Sequence, residues 1–200
     1  MDFETVFHLN AEDLVKESPL SDEFDEVVRA IESISEEEII SVQENMYPKR
    51  KSISRSIHFL LNDRLTPIGW RDNVPIFRPK ELSGKRYRMD LVKEDICIKV
   101  AFTNDGFTAW NLLKPTLASQ SNQTEKMFDA RLGLVIMATE EMKRAGGFDG
   151  TVCTMEGAGK YLSIMQKQLN SPLILIGLKA PEKFIVNHTG KPKRATILRI

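Results

Sequence analysis

The sequence predicts an α/β fold in which a mixed β-sheet carries helices on both faces. A basic segment at residues 80–90 runs into a β-rich stretch at residues 96–102, which indicates a hairpin. Two later runs, LGLVIMA at residues 132–138 and LILIGL at residues 173–178, are apolar throughout. Such runs are typical of strands buried on both faces, so helices must cover both sides of the sheet.

The composition indicates a soluble globular protein. Of the 200 residues, 42% are hydrophobic and 28% are charged. No apolar run approaches the roughly 20 residues that a membrane helix needs, and the N-terminus lacks the pattern of a signal peptide. We therefore expect a cytoplasmic protein with no membrane contact. Cys97 and Cys153 have no metal-site spacing, and we expect them to be buried free thiols.

The net charge of zero conceals a strong asymmetry along the chain. Residues 1–46 carry fourteen Asp and Glu against two basic residues, whereas residues 47–96 carry twelve Lys and Arg against six acidic residues. This pattern predicts an acidic helical segment at residues 1–46 that packs on a core domain at residues 47–200. The basic stretch allows a face that binds phosphate groups.

Capping residues and helical spacing predict three helices ahead of the hairpin. Their expected first residues or caps are Ser21, Ser35 and either Ser52 or Ser54. The third helix is expected to end near Leu65, ahead of Pro67. His58 lies in that third helix as an isolated histidine, and we expect it to have a structural role.

Side chains alternate across a strand, so the hairpin predicts two distinct faces. One face is expected to hold Ile96, Ile98, Val100 and Phe102, and the other Cys97, Lys99 and Ala101. We expect Asp90, at the start of the hairpin, to lie beside Lys99. After the polar turn at residues 103–106, a helix is expected that breaks or kinks at Pro115.

The remaining elements alternate between helix and strand. A buried strand at residues 132–138 is followed by a helix at about residues 158–169 and a second buried strand at residues 173–178. The basic tail at residues 191–200 is expected to end as an edge strand.

A set of short motifs in a fixed order resembles the BamHI/BglII/BstYI group of type II restriction endonucleases. The motifs are Leu65-x-Pro67-x-x-Trp70, Asn73-x-Pro75, Asp90, the strand ending in Phe102-Thr103-Asn104, and the run LILIGLKAP. The similarity covers roughly residues 50–180 and the basic tail. It implies a restriction-endonuclease-like fold and a homodimer on double-stranded DNA, with Mg²⁺-dependent cleavage at a short palindromic site.

The resemblance implies a catalytic set from which this chain departs. The family places Glu nine residues after the hairpin Asp, and Gln or Glu two residues further on. Asp90 matches the Asp, but Lys99 and Ala101 replace the other two residues. Asp90 is the expected metal ligand and Lys99 its catalytic neighbour, so the Mg²⁺ site should be weak, because Mg²⁺ favours oxygen ligands.

A second alignment makes Lys99 the lysine of the broader Asp…(Asp/Glu)-x-Lys nuclease pattern. The acidic position then falls on Cys97, which is a poor Mg²⁺ ligand. Glu94 and Asp95 are close in sequence. A folded-back turn would let Glu94 supply the missing carboxylate, so it is a further catalytic candidate.

Candidate DNA contacts lie outside this set. The resemblance places Asn104, with Thr103 beside it, where the family reads a base, and an Asn amide suits adenine. Capping of the Asn-Asp-Gly turn is the alternative role for Asn104. The segment with Thr151, Cys153 and Thr154 aligns loosely with a loop that reads outer base pairs. Candidate phosphate contacts are the basic residues Lys49, Arg50, Lys51, Lys85, Arg86, Lys191, Lys193 and Arg194.

Three hypotheses for function follow from these patterns. The first is an endonuclease with an altered metal site. The second is an inactive relative that binds a DNA site without cutting it, as a repressor or blocking protein would. The third is an interaction protein that has kept only the fold and binds a protein partner through its acidic N-terminal segment.

Overall fold

A computed structural model describes residues 1–120, 124–189 and 194–200 of the chain. The strands are β1 (Phe3–His8), β2 (Arg71–Pro75), β3 (Arg88–Lys93), β4 (Ile96–Val100), β5 (Leu132–Ala138), β6 (Leu173–Leu178), β7 (Phe184–Thr189) and β8 (Arg194–Arg199). The helices are α1 (Ala11–Leu14), α2 (Leu20–Ser33), α3 (Glu36–Asn45), α4 (Ser54–Leu65), α5 (Thr108–Ser119), α6 (Glu140–Ala145) and α7 (Met155–Ile164). No helix in these ranges combines the length and apolar character that a bilayer crossing requires.

The main sheet has six strands in the order β1-β6-β5-β4-β3-β2. Strands β4, β5 and β6 run parallel, while the other pairs are antiparallel, so the sheet is mixed. The first core cluster joins one face of the sheet to α2, α3 and α4, and a second cluster joins the opposite face to α5 and α7. The predicted fold class, with helices on both faces, is therefore confirmed.

Strand β4 shows the predicted alternation. Ile96, Ile98 and Val100 belong to the first core cluster. Cys97 and Ala101 pack on the opposite face, and both cysteines are buried free thiols. Every residue of β5 and β6 is buried. This is the expected consequence of their unbroken apolar sequence.

The helix starts are partly as predicted. Ser35 caps α3 in a capping box with Glu38, and α4 begins at Ser54. The prediction that Ser21 caps α2 is wrong, because Ser21 already lies in the first turn of a helix that begins at Leu20. The Ser21 N–H donates to the Glu17 carbonyl at 2.9 Å, so the preceding residues already form a turn.

The N-terminal segment differs from the expectation of helices alone. Residues 3–8 form β1, which pairs antiparallel with β6 at one edge of the main sheet. The side chain of Glu26 in α2 accepts hydrogen bonds from Trp70 and from Lys93 of β3. The assignment of residues 3–8 to a helical segment is therefore wrong, and the expected boundary at residue 46 stays a prediction.

The C-terminal elements also differ from the sequence pattern. Helix α7 begins after Thr154, whose side chain caps it, and ends at Ile164 rather than near residue 169. Strand β8 pairs with β7 in a separate two-stranded sheet. The tail therefore ends as a strand, as predicted, but it belongs to this separate sheet and not to the main one.

Helix α5 is continuous through Pro115, so of the predicted break or kink the break is wrong. Pro115 packs on β5 at Gly133, where an added Cβ would lie 2.3 Å from the Pro115 Cβ. The absence of a side chain at Gly133 therefore permits the close approach of α5 to the sheet.

The variant Gly133→Ala is expected to lower the free energy of unfolding by about 2 kcal/mol, because the new methyl group has no room between α5 and β5. Urea denaturation followed by circular dichroism measures this change. Gly159→Ala in α7 is the matched control, since nothing lies within 4 Å of its added Cβ. Equal stability of the two variants would contradict the proposed close contact.

Candidate functional site

A cleft of about 670 Å³ opens beside the start of β3. Its walls come from α4, from β2, from the segment at residues 83–85 that precedes β3, and from the β3–β4 hairpin. The ionisable residues that line it are Arg55, His58, Asp72, Lys85, Arg88, Asp90 and Lys99. With His58 neutral, four cationic side chains face two carboxylates, so the cleft carries an excess of positive charge.

The predicted pair of Asp90 and Lys99 lies at the bottom of this cleft. The antiparallel register of β3 and β4 pairs Leu91 with Ile98, which places Asp90 opposite Lys99. Lys99 Nζ donates to Asp90 Oδ2 at 2.6 Å. The backbone N–H of Val100 donates to the same oxygen at 2.7 Å. The prediction that the two side chains lie side by side is confirmed.

His58 is a site residue that the sequence interpretation missed. Its Nε2 lies 3.5 Å from Asp90 Oδ1, and its side chain is partly exposed in the cleft. His58 therefore lies in the cleft, beside Asp90, and its role there stays a prediction. The contact joins α4 to β3 across 32 residues of sequence (90 − 58), and no local pattern reports such a distant neighbour.

The environment of Asp90 favours its charged form. Burial alone would raise the pKa of the Asp90 carboxyl group. The hydrogen bond from His58, the charge and hydrogen bond of Lys99, and the Val100 N–H outweigh burial, so this pKa lies below its usual value. Asp90 is therefore an anion whose two oxygens both have partners.

Glu94 does not join this site. It occupies the turn between β3 and β4 with a φ of 37°, at the opposite end of the hairpin from Asp90. Its neighbour Asp95 faces Arg131. The turn would have to fold back along the strands to bring Glu94 to the cleft, and the regular strand pairing prevents this. Glu94 is therefore not among the residues that line the cleft.

Two arginines contribute to the cleft that the sequence interpretation did not select. Arg55 lies in the first turn of α4, and Arg88 precedes Asp90 by two residues. Arg88 donates hydrogen bonds to the carbonyls of Ser83 and Asn73, which fix its side chain without neutralising it. Residues two apart on a strand share a face, so the position of Arg88 relative to Asp90 could have identified it as a cleft residue.

Two loops that carry predicted DNA contacts lie together. The Asp105 N–H donates to the Thr151 carbonyl at 2.8 Å, and the Cys153 N–H donates to the Thr103 carbonyl at 3.2 Å. Asn104 and Thr151 are both exposed. Asn104 Oδ1 accepts a hydrogen bond from the Gly106 N–H, so the residue caps the turn. The amide group of Asn104 donates to no residue in the described ranges, which leaves it available to another molecule.

Cys153 and Thr154 have buried side chains. The Thr154 hydroxyl donates to Glu140 and accepts from the Gly157 N–H, as a helix cap does. The Cys153 side chain is held within the second core cluster. Neither side chain is exposed in this structure, and a role of Cys153 and Thr154 in base reading stays a prediction.

The predicted phosphate contacts lie in different places. Lys85 lines the cleft, and the neighbouring Arg86 is exposed. The Arg86 carbonyl accepts a hydrogen bond from Trp110, which ties this basic turn to α5. The residues Lys191 and Lys193, and the side chain of Arg194, lie outside the described part of the chain.

A mixed sheet flanked by helices, with an acidic residue on a hairpin in a basic cleft, is the arrangement of the restriction endonuclease class. The chain belongs to the restriction endonuclease BglII/BglIII family, whose family model matches residues 3–178. This match includes the N-terminal segment that the sequence interpretation had left outside the resemblance. Membership in the family implies DNA binding.

Solved structures support the same fold. Restriction endonuclease BglII in complex with a DNA 16-mer has a TM-score of 0.70 and 17% identity, and the match covers 100% of both chains. Free BglII has a TM-score of 0.58 and 16% identity, with 98% of this chain and 91% of that chain covered. No curated protein matches the sequence.

BglII-like restriction endonucleases generally depend on a divalent metal ion. The donor groups around Asp90 do not fit such an ion, because Lys99 places an ammonium group on one carboxylate oxygen. Asp72, the other carboxylate of the cleft, accepts a hydrogen bond from Asn62 at 2.9 Å. Within the described ranges, no three His, Cys, Asp or Glu residues are arranged to hold a metal ion.

Proposed function

We propose that this protein binds a short palindromic site in double-stranded DNA as a homodimer, and that its Mg²⁺-dependent cleavage is slow. Family membership and fold support the binding of DNA. The ion pair between Asp90 and Lys99 in a basic cleft is the observation that carries the statement about cleavage. A cytoplasmic location is part of the same proposal.

Charge explains both halves of this proposal. A backbone phosphate of DNA is attracted by the cationic groups of the cleft, and its binding does not require a metal ion to neutralise it. A Mg²⁺ ion, in contrast, would have to displace the ammonium group of Lys99 from Asp90 or share the carboxylate with it. Asp90 is the proposed metal ligand, and Lys99 is the residue that weakens the metal site.

The two exposed loops are the proposed elements of base reading. Thr103, Asn104 and Thr151 present polar groups on adjacent backbone segments. The free amide of Asn104 can donate to a base while its oxygen caps the turn. Lys85 and Arg86 lie nearby on the turn bound to Trp110 and would contact the DNA backbone.

A second candidate function is that of a repressor or blocking protein that occupies a DNA site without cutting it. The same ion pair supports this candidate, because the ammonium group of Lys99 occupies an oxygen of Asp90. The resemblance places Lys99 where the family has a carboxylate, and Ala101 is buried in the core. The acidic N-terminal segment is a proposed contact for a protein partner under this second function.

Two assays on the unsubstituted protein separate these functions. A gel shift on random-sequence duplexes measures DNA binding, and digestion of supercoiled plasmid with Mg²⁺ and with Mn²⁺ measures cutting. Binding with slow cutting supports the endonuclease, and binding with no cutting under either ion supports the blocking protein. Absence of DNA binding would contradict both.

Helix α5 is the proposed contribution to the dimer interface. Its inner face packs on β4 and β5, whereas Phe107, just before its start, is 56% exposed. A palindromic site has two-fold symmetry, which a dimer with two-fold symmetry matches. Light scattering of the protein with and without duplex DNA tests this point, and a monomer under both conditions would contradict it.

The variant Arg55→Ala is expected to weaken DNA binding by a similar factor on all sequences, because Arg55 lines the cleft without reading a base. The slope of the logarithm of affinity against the logarithm of salt concentration should fall by about 1. Fluorescence anisotropy with labelled duplex at several salt concentrations measures both quantities. Arg29→Ala, an exposed arginine on α2, is the control. A salt slope that is unchanged in Arg55→Ala would remove this residue from the interface.

A further inference from the structure

The two loops proposed to read bases differ in the hydrogen bonds that their side chains can still make. We call residues 103–106 the first loop and residues 149–152 the second loop. An isolated antiparallel bridge between Asn104 and Val152 joins them. Hydroxyl and amide groups can both donate and accept. What each group offers to a base therefore depends on which of its atoms the protein already engages.

The first loop offers hydrogen-bond donors. Asn104 Oδ1 accepts from the Gly106 N–H at 2.9 Å, so the oxygen faces its own turn and the amino group is left to donate. A backbone N–H can only donate, which fixes the orientation of this amide group. The hydroxyl oxygen of Thr103 accepts from Asn111 Nδ2 at 2.9 Å. The O–H of Thr103 has no acceptor in the described ranges, so it is available to a base that accepts.

Asn111 is a rigid support for Thr103. It lies in α5, which packs on β4 and β5, and it is only 5% exposed, whereas Thr103 is exposed. A buried amide group must form hydrogen bonds to compensate for its lost hydration. The contact with Thr103 supplies one such bond and at the same time determines the direction in which the Thr103 hydroxyl group donates.

The second loop offers hydrogen-bond acceptors. The hydroxyl group of Thr151 donates to Asp149 Oδ1 at 2.8 Å, and the Thr151 N–H donates to the same oxygen at 3.0 Å. Because its O–H is already used, the exposed hydroxyl group of Thr151 presents only its lone pairs. The carboxylate group of Asp149 can likewise only accept.

The order of donors and acceptors distinguishes the base pairs in the major groove. Guanine presents two acceptors, N7 and O6, and its partner cytosine presents an amino donor. In an A·T pair, the amino donor of adenine lies between two acceptors, adenine N7 and thymine O4. Donors on the first loop beside acceptors on the second loop therefore match a G·C pair better than an A·T pair.

We propose that the two loops read a G·C base pair, with Thr103 and Asn104 donating to guanine and Thr151 accepting from cytosine. In this proposal Asn111 and Asp149 are positioning residues that set the direction of these hydrogen bonds. The inference rests on the proposed function, since it assumes that the loops face the major groove of bound DNA. A homodimer would read one such pair in each half of a palindromic site.

Selection of duplexes from a random-sequence library by the full chain tests this inference. We expect the selected sites to share a G·C pair in each half. Replacement of that guanine by 7-deazaguanine, which lacks the N7 acceptor, should weaken binding by about 10-fold in fluorescence anisotropy. Inosine is the control base, because it keeps both major-groove acceptors and lacks only the minor-groove amino group, and it should bind nearly as well as guanine.

Substitutions assign this preference to the loops. The quantity measured is the ratio of affinities for the selected site and for the same site with A·T at the read position. Asn111→Asp replaces the donor behind Thr103 by an acceptor of the same shape, so the Thr103 O–H turns inward and the ratio should fall by about 5-fold. Thr103→Val and Thr151→Val should each lower the ratio by a similar factor. Asn10→Asp, at an exposed asparagine whose side chain caps no helix, should leave the ratio unchanged.

Thermal unfolding shows whether each variant is folded, and Thr103→Val still tests the inference where Asn111→Asp is not. Three results would overturn the inference and leave the proposed function intact. They are selected sites without a shared G·C pair, equal affinity for guanine and 7-deazaguanine, and a ratio that is unchanged in folded Asn111→Asp or in Thr103→Val. No DNA binding by the unsubstituted protein would instead contradict the proposed function itself.

Discussion

A variant with both Lys99→Glu and Ala101→Gln is expected to bind Mg²⁺ and to cut supercoiled plasmid faster than the unsubstituted protein. The first change removes the ammonium group that donates to Asp90 at 2.6 Å and puts a carboxylate in its place. The second adds an amide oxygen at the position where the resembling family has Gln or Glu. Together they supply the oxygen ligands that Mg²⁺ prefers.

The size of this effect follows from charge. The substitution at residue 99 changes the charge beside the metal position by two units. Two unit charges about 4 Å apart interact by about 4 kcal/mol at the effective dielectric constant of a protein surface, and Mg²⁺ carries two such charges. Even after a large discount for solvent, Mg²⁺ affinity should rise by at least about 100-fold. Metal titration followed by calorimetry measures this affinity, and plasmid digestion measures the gain in cutting.

Stability supplies an independent measure of the same substitution. Without metal, Glu at residue 99 repels Asp90, so the double variant should unfold at a lower temperature than the unsubstituted protein. Mg²⁺ should restore the loss, because an ion that binds only the folded state stabilises it. Lys99→Met is the control that removes the ammonium group without adding a ligand, and it should show no Mg²⁺-dependent shift. A double variant that binds DNA tightly and still fails to cut would favour the blocking protein.

Substitution of Glu23 is expected to change how stability depends on pH. Glu23 of α2 is 5% exposed, and its Oε2 has no hydrogen-bond partner in the described ranges. Burial, followed by the negative charges of Asp95 and Glu94, raises the pKa of Glu23 to about 7, although Lys93 acts in the opposite direction. Lys93 is itself engaged by both carboxylate oxygens of Glu26 at 2.8 Å.

The direction in which stability changes with pH follows from proton binding. Between pH 4.5 and about pH 7 the folded protein holds the Glu23 proton more tightly than the unfolded chain does. The stabilising contribution of this proton is complete at low pH and is lost as pH rises through this window. At about 1.4 kcal/mol for each pH unit, the loss amounts to about 3 kcal/mol at most.

Glu23→Gln should therefore be more stable than the unsubstituted protein at pH 8 by up to about 3 kcal/mol, and nearly equal to it below pH 5. Urea denaturation at a series of pH values measures both curves. Glu44→Gln, an exposed glutamate of α3, controls for the loss of one negative charge. A decline in stability with pH that persists unchanged in Glu23→Gln would show that another group titrates in this window.

Sequence patterns predicted the centre of the sheet but not its first strand. The apolar runs of β5 and β6 and the alternation in β4 are local signals that burial on two faces imposes. The sequence FETVFH of β1 has no clean alternation, because Val6 and Phe7 are both 37% exposed. The pairing of β1 with β6 depends on residues far away in sequence. The acidic composition of residues 1–46 did not indicate this strand.

The same distinction, between local signals and contacts of distant residues, applies to the candidate site. Strand parity predicted that Asp90 and Lys99 meet, since both lie in one hairpin. The contact of His58 with Asp90 depends on how α4 packs on the sheet. The alternation of side chains along a strand does not predict that packing. The hydroxyl group of Thr154 serves as a helix cap, and the sequence motif alone does not distinguish such a cap from a DNA contact.

The pairing of β1 with β6 also determines when the sheet can be completed. Phe3 of β1 lies opposite Leu178 of β6. Strand β1 therefore cannot form its hydrogen bonds in the sheet until β6 has been synthesised. During synthesis on the ribosome, residues 3–8 therefore leave the exit tunnel long before their partner exists. Contacts of such large sequence separation form late and slow the folding of a domain. The acidic helices that follow β1 keep this early, unfinished chain highly charged, and therefore soluble, until β6 arrives.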